Sequence, residues 1–488
     1  AVCFFSSCCR RMPFLWHYSI EPGTSSSESE PGDAFVAPRN EVGLNESQIR
    51  SLEFGKEFAT RAGLQATLEP LKRPLSIVTD CSGAEAPAIS LDMLLSGAGR
   101  PQMMEHLSMC DNADGPAKWL AANFPHVPLQ KDMKEKPLVE EDEADVYTCG
   151  FPCKAFSALR TETELLRDQA AKPFWFMLKR IKRSKPKACL LENVRGLCSV
   201  LGQVRKHLEK CGDYEIAVCG INPRDYGVDA CRDRIYIFMI LREYLPSRQF
   251  DLQHHADTVL ELMKSTSAIP WSTFLLEDDD VSVREINSKK DDRVCKRKLN
   301  EKNKFDVATR PRKEEPQWRH HNWAFMKKHQ LSPAAVNGAA KNKLGAAVAC
   351  LHQRSEQALD IVTAVKPDWQ IADLSQNVHM MPVVQPGQPF PCVTPGADYF
   401  SASRRRHITG TEKLLLMGFP LHRLNSSCSS EAEKHSLAGN SMHLRAIAAA
   451  WVVILKAIDM QKLNMVTKVK GTDHKDERPK KMLRREGR

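Results

Sequence analysis

From Leu75 onward, short apolar runs that end in small or turn-forming residues alternate with stretches of helical spacing. LSIVTDCSG at 75 to 83 predicts a strand closing in a tight turn, and APAISLDMLLSG after it repeats its apolar positions as one helix face requires. The alternation continues through EHLSMCDN and GPAKWLAANFP, then ADVYTCGFPC and PFWFMLKRIKRSKP, then ACLLENVRG and SVLGQVRKHLEKCG, and ends with YEIAVCGIN. Strands alternating with helices predict an α/β fold, a doubly wound and mainly parallel sheet with helices on both faces. In such sheets ligands gather at the carboxyl ends of the strands, where Gly83, Asp111, Pro152, Cys153 and Glu192 fall.

The pattern fades over residues 242 to 403, which read as a smaller inserted region. It returns in HITGTEKLLLMGFP and LAGNSMHLRAIAAAWVVIL, so residues 404 to 460 are expected to complete the domain begun at 75 to 241. Residues 1 to 74 read as an N-terminal extension. Within it, 21 to 40 are rich in Ser, Glu, Gly and Pro and carry too little apolar surface to order themselves. Residues 461 to 488 form a basic tail.

At 488 residues, with 42% hydrophobic and 27% charged positions, the chain can build a real core. No run of 18 uncharged apolar residues occurs, and AIAAAWVVILKAI from Ala446 is expected to be a buried helix and not a membrane span. The opening residues lack an initiator Met, as a fragment would, and order their apolar and basic parts unlike a signal peptide. Sixteen cysteines without a CxxC pair fit neither a disulfide framework nor a zinc ribbon, so a reducing interior and no metal are expected. The net charge of +10 is concentrated at 289 to 305, at 310 to 329 and at 476 to 488, which favours a nucleic-acid partner. The last cluster is also a candidate nuclear address. Protein partners are not legible.

Candidate chemistry centres on Cys153. A cysteine is commonly a small buried hydrophobe, but here Gly150 and Pro152 make a turn at a strand end, and Lys154 and Arg160 are placed to favour a thiolate. Glu192 sits where a buried strand meets a loop, and an apolar wall there would raise its pKa toward use as a proton donor. The alternative is a solvated or paired surface acid. Arg232 and Arg234 alternate, so they share a face, either as an edge pair or converging on a polar ring. Gly83 permits close approach of a ligand, and Asp111 at the next strand end is placed for ribose hydroxyls. Neither GxGxxG nor GxxxxGK[ST] occurs, which disfavours a dinucleotide cofactor and a P-loop.

Taken in order, TDCSGAEAP, CDN, GFPCKAFS, LENVRG, YGVDACRDR, HITGTEKLLLMGFP and LAGNSM resemble the cytosine-5 DNA methyltransferase family, over about 75 to 241 and 404 to 457. The resemblance implies a Rossmann-like, S-adenosylmethionine-dependent enzyme that acts on a flipped-out cytosine in double-stranded DNA, with 242 to 403 as target-recognition region. It implies Cys153 as nucleophile, Glu192 as the acid at the ring nitrogen, Arg234 as the group orienting the base, Asn193 as a hold on the Glu192 loop, and Arg232 as a further catalytic residue. The cofactor pocket would be lined by Cys81, Gly83, Asp111, Asn112, Asp132, Pro152 and Asn440, with Asp132 near the adenine amine.

Three departures stand out. Lys154 replaces the usual Gln after the cysteine, Glu85 and Ala86 replace glycines of the first loop, and Asp229 and Ala230 replace Pro-Gln ahead of the arginines. An acid at 85 is expected to weaken or reshape the cofactor loop. A tRNA cytosine-5 methyltransferase with the same chemistry, and a nucleic-acid binder that has lost turnover, are the alternative readings.

Overall fold

The computed structural model describes residues 42–134, 144–156, 165–288 and 309–464. The 21 to 40 linker, Arg160, the basic cluster at 289 to 305 and the tail at 476 to 488 lie outside the described residues.

Three short helices, α1 (Glu46–Leu52), α2 (Gly55–Ala62) and α3 (Leu64–Leu68), precede the α/β alternation. It runs β1 (Leu75–Asp80), α4 (Ala86–Gly97), β2 (Met104–Cys110), α5 (Asp114–Asn123), β3 (Leu129–Gln130), β4 (Val146–Cys149), α6 (Lys172–Ser184), β5 (Ala188–Val194), α7 (Leu201–Leu208), β6 (Tyr214–Ile221) and β7 (Arg234–Leu241). The seven strands order as β3-β2-β1-β4-β5-β7-β6. β1 pairs in parallel with β2 and β4, and β4 with β5, whereas β7 runs antiparallel between β5 and β6.

Both faces are covered, and β7 shows how. Tyr236, Phe238 and Ile240 point into one core with α1 to α4, while Ile235, Ile237 and Met239 point into the other with α6 and α7. A strand buried on both sides must be apolar at consecutive positions. That is why RIYIFMIL lacks polar alternation.

Beyond α8 (Leu252–Leu262), the region from 309 contains α9 (Gln317–Lys328), α10 (Gln353–Val365) and a small antiparallel sheet. Its strands are β8 (Ile371–Asp373), β9 (Val383–Val384), β10 (Tyr399–Ser401) and β11 (Arg406–His407), in the order β11-β10-β8-β9. A third core that includes Leu359, Trp369 and Phe400 lies beneath it. Strands of two or three residues are too short to announce themselves by periodicity.

The chain then returns as α11 (Gly410–Leu416), α12 (Glu431–Asn440) and α13 (Leu444–Ala457), and α13 packs against α4 and α8. The helical stretch Glu431–Ala457 is long and apolar enough to cross a membrane by length and composition, but 94% of its apolar window is buried in the protein. Serine and histidine at 441 and 443 break it into α12 and α13.

Residues 42 to 73 pack onto the core beside the sheet. Phe54, Phe58 and Leu64 are fully buried in the first core, and a side chain at Gly97 would collide with the Gly55 backbone. Gln48 Nε2 donates to the carbonyls of Thr273 and Leu275, and Arg445 reaches the carbonyl of Ser51. Helix α2 is apolar on one face only, so its burial depends on α4 and α13.

One buried carboxylate ties these parts at the foot of the sheet. Asp145 accepts from Ser76 N and Oγ at 2.9 and 3.0 Å, pairs with Arg73, and takes the Lys187 ammonium at 2.5 Å. Burial works to raise its pKa, but Arg73 and Lys187 together outweigh that and hold it below the usual carboxylate range. Its contribution to stability is present above pH 3.8 and is lost as pH falls through the lower folded value. Asp145→Asn is expected to destabilise the fold by about 3 to 5 kcal/mol by stranding two cations. Denaturant unfolding at neutral pH measures this, and the variant should also show a shallower acid-side decline, the remainder coming from other lowered carboxylates such as Asp398 and Glu431.

Candidate active site

The loop that carries Cys153 is fixed at both ends. Cys149 on β4 pairs with Leu191 on β5, so Gly150 comes level with Glu192. A Cβ at Gly150 would lie 2.8 Å from Met442 Cε and 3.6 Å from Glu192 Oε2, so a larger residue would have to push the methionine tip aside. Asn193, fully buried, donates from Nδ2 to the Phe151 carbonyl at 2.8 Å. Phe151 and Phe156 are buried edge to face, 6.1 Å apart, and Phe156 N donates to the Cys153 carbonyl at 2.8 Å. Between these anchors Pro152 is half-buried and Cys153 and Lys154 are exposed. The sulfur is therefore not a packing residue.

The acid and its arginine meet because β7 is antiparallel to β5. The register pairs Glu192 with Tyr236 and Val194 with Arg234, which makes Glu192 and Arg234 diagonal neighbours on one face. Arg234 Nε lies 3.2 Å from Glu192 Oε1. Burial raises the Glu192 pKa, and Arg234 and Arg232 partly oppose it. Glu192 is 9% exposed, so it is a poised buried acid and not a solvated one.

Arg232 is engaged on the side of the inserted region. It is buried, donates from Nη1 to the Val393 carbonyl at 2.7 Å and from Nη2 to the Gly439 carbonyl at 3.0 Å. It thus pins the inserted region and the end of α12 to the strand that carries Arg234. Two carbonyls already occupy its fork.

The expectation of a thiolate at Cys153 is corrected by the local field. Partial burial and then the Glu192 charge push the thiol pKa up, and Arg234 and Arg232 oppose this without prevailing. The resting sulfur is a thiol.

At the neighbouring strand ends, Cys81 (φ 53°) and Gly83 (φ 56°) curl the loop after β1. Gly83 has open space where a side chain would stand, and its N–H is held by Asp111 Oδ2 at 2.9 Å. Asp111 Oδ1 accepts from Ala113 N, and burial raises the Asp111 pKa against these bonds. Asn112 is exposed, and Asp132 Oδ1 accepts from Lys134 N. Asn440 is exposed at the end of α12, with Nδ2 3.3 Å from Ser436 Oγ. A bare backbone at Gly83 with carboxylates at the tips of β2 and β3 fits a nucleoside-like ligand such as S-adenosylmethionine. Among the described residues no group of His, Cys, Asp and Glu is arranged to hold a metal.

Two of the departures acquire physical meaning. Glu85 does not face the ligand side of its loop; it is fully buried, its Oε2 accepts from Thr79 Oγ1 at 2.9 Å, and Thr79 Oγ1 bonds Ser82 Oγ at 2.7 Å. Burial lifts its pKa to about 8. Asp229 uses an N–H that proline would lack, donating to the Ile269 carbonyl at 3.0 Å, while Ala230 bridges to Phe390. Backbone pairing to the inserted region takes the place of the family's Pro-Gln.

Glu85 makes a pH test of this loop. The folded protein keeps a proton there that the unfolded chain releases above pH 4.5, so its contribution is fully present below that and is lost as pH rises to about 8. At about 1.4 kcal/mol per pKa unit the loss is on the order of 5 kcal/mol. Glu85→Gln is expected to flatten the fall in melting temperature between pH 5 and pH 8, measured by calorimetry.

The chain was compared with known proteins. A family model described as C-5 cytosine-specific DNA methylase matches residues 90–455. A DNA (cytosine-5-)-methyltransferase DMT5 of Cryptococcus neoformans var. grubii is 23% identical over 424 residues, covering 79% of this chain. The chain spans only 17% of that relative's length. The type II methyltransferase M1.ScrFI of Lactococcus lactis subsp. cremoris is 35% identical over 130 residues, 25% of this chain and 31% of that protein. Among solved structures, a Dnmt2 methyltransferase of S. pombe covers 80% of this chain and 99% of its own, at 16% identity and a TM-score of 0.45. Matched over more than half of its length by that model, the chain belongs to the C-5 cytosine-specific DNA methylase family.

Proposed function

We propose that this chain transfers a methyl group from S-adenosylmethionine to carbon 5 of a flipped-out cytosine in DNA, through a covalent bond from Cys153. The carrying observation is an exposed thiol on a rigid loop beside a buried acid that is held by an arginine. The cofactor would lie against Gly83, Asp111, Asn112 and Asp132, where it supplies an electrophilic methyl on a sulfonium.

Carbon 5 of cytosine is a poor nucleophile. Addition of the Cys153 sulfur to carbon 6 pushes the ring electrons toward nitrogen 3, where the raised Glu192 carboxyl donates its proton. Carbon 5 then carries the electron pair that takes the methyl. Loss of the carbon 5 proton and departure of the sulfur restore the ring. Arg234 keeps Glu192 in place beside the site. The Cys153 proton must leave first, because burial and Glu192 both disfavour the thiolate.

The test is methyl transfer from labelled donor to duplex DNA and to tRNA in parallel. Label is expected in DNA, absent with Cys153→Ser, and lowered about 10²- to 10⁴-fold with Glu192→Gln. Label in tRNA alone would move the substrate and leave the chemistry intact. Full activity of Cys153→Ser would overturn the mechanism.

A further inference from the structure

Arg234 has three donor edges, and each is spoken for. Nε faces Glu192 Oε1 at 3.2 Å, Nη1 donates to the Asp233 carbonyl at 2.8 Å, and Nη2 points at the sulfur of Cys392, 3.7 Å away. Arg232 Nη1 approaches the same sulfur at 3.8 Å. Two like-charged forks lie side by side, and each lowers the comfort of the other; one polarisable sulfur is the acceptor they share.

Cys392 belongs to the inserted region and its position there is built. Phe390 N donates to the Asp229 carbonyl at 2.9 Å, and Cys231 N to the Phe390 carbonyl at 2.8 Å, which locks this strand end beside the arginines. Tyr399 on β10 donates its hydroxyl to the Cys392 carbonyl at 2.8 Å, and the ring of Tyr399 packs 4.9 Å from that of Phe390. The small sheet of the inserted region is therefore connected to the catalytic acid by one short path. It runs from Tyr399 to Cys392, to Arg234, to Glu192.

We infer that Cys392 is a positioning residue for the proposed reaction, through which the inserted region sets the Arg234 guanidinium on Glu192 and beside Cys153. The inference rests on the function proposed above, and it assigns to the inserted region a part in the chemistry besides any contact with nucleic acid. Removing the sulfur frees Nη2 of Arg234, lets the fork turn and loosens its hold on Glu192. The charged and titratable groups beside Cys392 are Arg232, Arg234, Cys231 and Tyr399, and through the arginines Glu192, Cys153 and Tyr236.

Alkylation of Cys153 by iodoacetamide across pH, read by peptide mass spectrometry, tests this without requiring turnover. Arg234 now opposes the rise of the Cys153 pKa. In Cys392→Ala the midpoint of alkylation is expected to move to higher pH by roughly half a unit or more, and in Cys392→Ser, which keeps an acceptor, to return toward wild type. Melting temperatures of both variants separate this from a general loosening, which would change stability without moving the midpoint. An unmoved midpoint in folded Cys392→Ala overturns the inference. Methyl transfer by wild type, run alongside, reports on the proposed function itself: a shifted midpoint with no transfer keeps the positioning role and removes the reaction.

Discussion

The pairing of Glu192 with Arg234 is the constraint on which the site depends, and it exists because one strand of the sheet runs backwards. Were β7 parallel to β5, its first residue would lie at the other end of the sheet, and the acid would have no cation beside it. With β7 antiparallel, Arg234 starts the strand just where β5 delivers Glu192. On its other side β5 pairs in parallel with β4, which brings Asn193 level with the Cys153 loop, so its amide can hold the Phe151 carbonyl. Sheet topology, buried acid and cysteine loop are parts of one arrangement.

Three buried carboxyl groups show how environment alone divides their work. Asp145 gains two cations and stays ionised as a structural tie. Glu85 gains hydroxyl partners but no cation, so burial prevails and it carries a proton near neutrality. Glu192 lies between these limits, raised by burial yet restrained by Arg234 and Arg232. Only the intermediate case suits a group that must give up a proton and regain it. Residue type does not distinguish the three.

Much of this was legible in the chain. The strands and helices from 75 to 241 follow from apolar runs and turn residues, since a doubly covered sheet writes itself as consecutive hydrophobic positions. Cys153 and Glu192 could be singled out because each ends such a run. What could not be read depends on contacts distant in sequence. Arg232 and Arg234 look equivalent two residues apart, and only the carbonyls of Val393 and Gly439 reveal that one of them is a tie. Glu85 looked like a threat to the cofactor loop because sequence does not say which side of a turn a side chain takes. Cys392 carried no signal in PFPCVTPG, where periodicity is absent and the partners lie about 160 residues away. The helices at 46 to 68 were overlooked because their apolar faces are covered largely by α4, α13 and the turn at 271 to 274, all distant in sequence.

The central claim is that the exposed Cys153 sulfur bonds to a cytosine steadied by Glu192. Its most direct measurement is intact mass after incubation with S-adenosylmethionine and duplex DNA carrying 5-fluorocytosine, whose carbon 5 cannot lose a proton. The account predicts a protein–DNA adduct that maps to Cys153 and vanishes in Cys153→Ser. An adduct at another cysteine, or methyl transfer to ordinary DNA by the same preparation with no adduct at all, would contradict it.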